Sequence, residues 1–93
     1  MSEKSLQVPE RFDFGYHKEF TQQYSNLLTQ GDTTNIALDF SRVSYLDSSA
    51  LGMMVLLQKK AKQQNIDVRI RGARDSALEI LTVANFDQLF EIS

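Results

Sequence analysis

The chain has 93 residues, 42% of them apolar, a net charge of −2 and no cysteine. That is enough apolar surface for one small core, so one domain over 1–93 is expected. The mixed charge excludes a basic field for nucleic acid, and the lack of cysteine excludes disulfides, thiolate zinc sites and thiol catalysis. No apolar run approaches the roughly 18 residues of a membrane span, and no signal peptide pattern opens the chain, so a soluble cytoplasmic protein is the expectation.

In chain order, Met1–Ser5 is polar and expected to fray. Leu6-Gln7-Val8 alternates as a short strand ended by Pro9, and Arg11–Phe14 continues in extended form up to Gly15. Tyr16, Phe20, Tyr24, Leu27 and Leu28 recur at helical spacing, with Gly31 placed as a C-cap glycine. Ile36–Phe40 is a short apolar strand, and Ser41–Ser44 turns the chain. Tyr45-Leu46 then leads into Asp47-Ser48-Ser49 and a helix from about Ser49 to Gln64. Ile66–Ile70 alternates as a strand with one buried face. After a loop at 71–74, Asp75 or Ser76 caps a further helix, with Ser76 and Glu79 spaced as a capping box. Asn85 suits a left-handed stop, and Phe86, Leu89, Phe90 and Ile92 close the chain as a short helix and strand. Strands alternate with helices, which predicts α/β crossover units, a largely parallel or mixed sheet, and one layer of helices packed against it.

The stretch around Asp47 carries the most information. Asp47, Ser48 and Ser49 are all residue types that cap a helix N-terminus, and a hydroxyl beside the positive end of a helix accommodates an added anion. At about 100° per residue, Ala50, Met54, Leu57 and Ala61 share the core stripe of that helix, while Lys59, Lys62 and Gln63 are solvated. Its first half is apolar nearly all round, with no charge between Asp47 and Lys59. Gly52 and Leu56 point away from the core stripe and are the candidate docking patch; Leu51 and Val55 are expected to be covered by neighbouring helices. Other chemistry has little support. His17 is the only histidine, the four glycines form no phosphate loop, no GxSxG elbow is present, and no third ligand joins Asp39 and Asp47 in a metal site. Arg69, Arg71 and Arg74 could gather an anion or serve as ordinary solvated positions.

The run Val43-Ser44-Tyr45-Leu46-Asp47-Ser48-Ser49-Ala50-Leu51-Gly52 resembles the signature of the STAS domain, in the branch of bacterial anti-sigma factor antagonists. Phe12-Asp13, the Ile66–Ile70 strand, the Ala77–Phe86 helix and Phe90-Glu91-Ile92 fit the same pattern, so the resemblance covers almost the whole chain. It implies an α/β fold, a small mixed β-sheet with helices packed mainly on one side, and a binding protein with no enzymatic activity, cofactor or metal. It also implies Ser48 as phosphoacceptor (Ser49 second choice) and Asp47, Ser48, Ser49, Gly52 and Leu56 as partner-binding residues. The implied partners are an anti-sigma factor that is also a serine kinase of the histidine-kinase-like ATPase fold, and a PP2C-type phosphatase. Ala50 stands where the family has glycine, and Pro9-Glu10 where a glycine is common. Some small STAS proteins act instead as constitutive accessory subunits on the ATPase of a lipid-trafficking ABC transporter, which is the alternative expectation.

Overall fold

The computed structural model describes residues 2–93. Six strands and three helices alternate along the chain: β1 (Ser2–Gln7), β2 (Arg11–Phe12), α1 (His17–Thr29), β3 (Thr33–Asp39), β4 (Tyr45–Leu46), α2 (Ser48–Lys62), β5 (Asp67–Arg71), α3 (Asp75–Val83) and β6 (Glu91–Ile92). Short 3₁₀ turns at Phe14–Tyr16 and Phe86–Gln88 precede α1 and follow α3. The main sheet runs β1-β3-β5-β6, and β2 and β4 form a separate two-stranded ladder.

Every pairing among the described residues is parallel, so the sheet is of the parallel kind rather than mixed. Its strand order follows chain order, so each crossover steps the same way across the sheet. Right-handed crossovers then carry α1, α2 and α3 over one face, which places the helices on one side as expected. Burial agrees with this. Leu6, Val8, Ile36, Leu38, Phe40, Val68 and Ile70 are buried beneath the helices, while Glu3, Ser5, Gln7, Asp67 and Arg71 on the other face are exposed. A parallel sheet normally has both faces covered. Here the open face is polar instead, with Glu3 paired to Arg69 (3.8 Å) and Arg71 (3.4 Å), and Arg69 to Glu91 (3.7 Å).

Four sequence expectations change. Residues 2–5 are not frayed: β1 starts at Ser2 and pairs with β3 through Glu3–Asn35, Lys4–Ile36 and Leu6–Leu38, while Met1 lies outside the described residues. Their polarity is that of an edge strand with one wet face. Gly31 is not a left-handed cap; α1 ends at extended Gln30, and the only glycine with positive φ among the described residues is Gly72. The Ser76–Glu79 capping box is absent. Arg74 occupies the N-cap of α3 without a side-chain cap, and Ser76 Oγ donates instead to the Ser44 carbonyl (3.3 Å). The three arginines do not gather, because Arg69 and Arg71 are held on the open face and Arg74 donates to the Ser41 carbonyl (3.4 Å). Asn85 does stop α3 in the left-handed region, at φ 60°.

Candidate functional site

The β2–β4 ladder fixes where α2 begins. Glu10 accepts from the Ser44 and Tyr45 amides (2.9 and 3.2 Å), and Phe12 accepts from the Asp47 amide (3.3 Å). Phe12 is fully buried, with its ring 5.0 Å from Phe20 and 6.2 Å from Phe40, so the ladder is anchored in the core. Asp47 leaves the strand in extended conformation and caps α2: its Oδ1 accepts from the Ala50 amide at 2.9 Å. Its Oδ2 accepts from the Phe14 amide at 3.4 Å, tying the turn before α1 to the start of α2.

Of the three capping residue types in this run, Asp47 holds the N-cap position, and a single carboxylate suffices to accept from the first turn. Ser48 is instead the first residue of α2, exposed, and its hydroxyl makes no hydrogen bond among the described residues. Ser49, next to it, is half-buried.

Around Ser48 the surface is apolar. Ala50, Met54, Leu57 and Ala61 are fully buried, as the core stripe requires. Gly52, one turn along from Ser48, is exposed, a Cβ there would meet nothing within 4 Å, and Leu56 beyond it is 45% exposed. Leu51 and Val55 are partly buried against the core. The sequence reasoning missed Phe14, 66% exposed, which Asp47 brings to this end of α2 and which stacks on His17 with ring centres 5.5 Å apart. The available signal was the Asp13-Phe14-Gly15 run, where Asp13 Oδ1 accepts from the Gly15 amide (2.9 Å) in a turn that leaves the aromatic outside. Tyr45, 44% exposed, carries the Arg11 guanidinium 4.8 Å above its ring.

An exposed serine on a helix N-terminus, a carboxylate cap beside it and an apolar surface along the same helix thus lie together. Residues 2–91 match the family described as Mlab, STAS domain. A STAS-domain containing protein of Pseudomonas aeruginosa (strain UCBPP-PA14) is 36% identical over 91 residues, which cover 98% of this chain and 88% of that one. The chain belongs to the STAS-domain family.

Solved structures share the fold at lower identity. The anti-sigma factor antagonist SpoIIAA in its unphosphorylated form superposes with a TM-score of 0.82 at 14% identity, over 99% of this chain and 80% of that one. A putative anti-sigma factor antagonist from Thermotoga maritima gives 0.80 at 20% identity, over 95% and 77%. A sulfate transporter family protein from Wolinella succinogenes gives 0.83 at 15% identity, over 97% and 75%.

Proposed function

We propose that this protein is an anti-sigma factor antagonist, a non-enzymatic cytoplasmic switch that sequesters an anti-sigma factor through the Ser48 face and releases it when Ser48 is phosphorylated. The observation that carries this reading is the division of labour at the start of α2. Asp47 does the capping, so the exposed Ser48 hydroxyl has no structural task.

A phosphate on Ser48 adds about −1.5 to −2 charges at neutral pH. The helix N-terminus accommodates it, by roughly 0.3–1 kcal/mol at an exposed site, so the fold persists. A partner lying over Ser48, Gly52 and Leu56 would have to desolvate that phosphate beside Asp47. An unpaired buried charge costs several kcal/mol, and each ~1.4 kcal/mol is tenfold in affinity. Modification therefore releases the partner without unfolding the switch. In this reading the kinase is the sequestered anti-sigma factor itself, with the histidine-kinase-like ATPase fold, and a PP2C-type phosphatase resets Ser48; Ser49 is the second-choice acceptor.

The test is intact-mass spectrometry with peptide mapping after incubation with ATP and lysate of the source organism, wild type beside Ser48→Ala. One phosphate on Ser48 of the wild type, absent from the variant, is expected. In binding assays Ser48→Ala should hold the partner constitutively and Ser48→Asp should hold it poorly; equal binding by both sinks the mechanism. A second reading is a constitutive accessory subunit on a transporter ATPase, since the STAS fold also occurs in a sulfate transporter family protein. Absence of phosphate, with phosphatases inhibited and a control substrate labelled, together with stoichiometric co-purification of an ATPase, would favour it.

A further inference from the structure

A second docking surface lies on the other flank of α2. Leu51, Ile80, Val83 and Ala84 line an apolar groove of about 380 Å³ between α2 and α3, with Glu79 on its wall. At 100° per residue, Leu51 falls on one side of Ser48 and Leu56 on the other, so the groove and the Gly52–Leu56 patch are distinct faces meeting at the phosphoacceptor. Val83, at 77%, is the most exposed large apolar side chain among the described residues. Further along, Gln58 on α2 donates to the Leu89 carbonyl and ties that helix to the turn after α3.

Glu79 is the one charged residue that lines the groove. It forms no ion pair among the described residues, and no Lys, Arg or His occurs from Asp47 to Gln58 or from Asp75 to Ser93. An apolar trough between two helices, with an unpaired carboxylate on its wall and no cation on either flanking segment, complements a third helix that presents apolar residues at i, i+3 and i+4 and cations on its flanks.

We infer that this groove receives a basic amphipathic helix from a partner protein. The inference does not rest on the release mechanism, and it predicts the opposite response to the same modification. Ser48 lies one turn from Leu51, so a phosphate there makes the rim more negative and leaves a basic helix held as tightly or more tightly. The Gly52–Leu56 face lets go. One module would then exchange one class of partner for another.

The test is a displayed library of amphipathic helical peptides of about 15 residues, the shortest length at which isolated helices are workable. Their apolar stripe is fixed and their flanks are randomised among Lys, Glu and Gln. It is selected against the full chain and counter-selected against Val83→Asp. Lysine-rich peptides should emerge, lose at least about tenfold in affinity on Val83→Asp and on Glu79→Lys, as expected at a central contact, and weaken with salt. They should bind Ser48→Asp at least as well as wild type. Both groove substitutions are at exposed positions, and matching circular-dichroism melts verify that the variants are folded. No enrichment, enrichment of neutral or acidic peptides, undiminished binding to Val83→Asp, or loss on Ser48→Asp overturns the inference. So does a dimer in light scattering that Val83→Asp dissociates, which would make the groove a contact between two copies of this chain.

Discussion

Asp47 does two jobs with two oxygens, capping α2 through the Ala50 amide and holding the Phe14 amide. Asp47→Ala should therefore cost about 0.5–2 kcal/mol for the cap, read as a lowered denaturation midpoint. It should also free the Phe14 turn, read as faster amide exchange at Phe14. Asp39 acts in a similar way on the next turn upstream. Its carboxyl is held below its ordinary 3.8 first by the hydrogen bond from the Ser41 amide (2.9 Å), then by the Ser41 side chain, with Arg71 and Arg42 assisting and desolvation opposing. A depressed folded-state pKa contributes stability that is present above the ordinary value and lost as pH falls through the lower one. Asp39→Asn should thus flatten the dependence of stability on pH only in the acid limb, below about pH 4, measured by urea unfolding across pH. Asp47 as a capping residue was legible from its type and place. Which of three adjacent capping residues does the work was not, because the choice depends on where the β2–β4 ladder delivers the chain.

At the scale of elements, α2 carries a glycine that helix stability alone disfavours. Gly52 sits in an exposed helix interior, has negative φ and has room for a methyl group. Glycine there costs about 0.8–1 kcal/mol relative to alanine. Gly52→Ala should accordingly raise stability by up to about that amount in thermal unfolding, while weakening capture of the partner over Ser48 in a pull-down. A gain in stability with binding intact would take Gly52 out of the docking face. Gly72 is the opposite case. Its φ is +77° and an added Cβ would lie 3.2 Å from the Ser41 backbone nitrogen, so Gly72→Ala should destabilise by at least about 1–2 kcal/mol. Helical periodicity makes the buried stripe of α2 readable from sequence. The capping of α3 was misread because Ser76 has two available uses, and only the packing of α3 beside Ser44 selects the contact across elements.

For the whole molecule, the consequence of a one-way crossover series is a sheet with one covered and one open face. A phosphate placed on Ser48 would leave the buried core untouched, since Ser48 is exposed and Ala50 is the first fully buried residue after it. Under the proposed switch, protein phosphorylated at Ser48 should therefore melt within a few degrees of the unmodified one while losing its partner, because about 1 kcal/mol moves the midpoint of a domain this size by about 4–8 °C. Among the described residues no helix is long and apolar enough to cross a membrane.

The alternation of strands and helices, the core stripe of α2 and the place of Ser48 at its start are local properties, set by side-chain period and capping chemistry within a few residues, and the sequence alone determined them. The rest depends on residues far apart in the chain. The edge strand β1 exists because β3 offers it a ladder; Phe14 reaches the Ser48 face because Asp47 holds its amide across 33 positions; and the α2–α3 groove forms only when two helices from separate crossovers lie side by side. Those three outcomes were decided by tertiary structure, since pairing and packing energies belong to contacts that no short stretch of sequence contains.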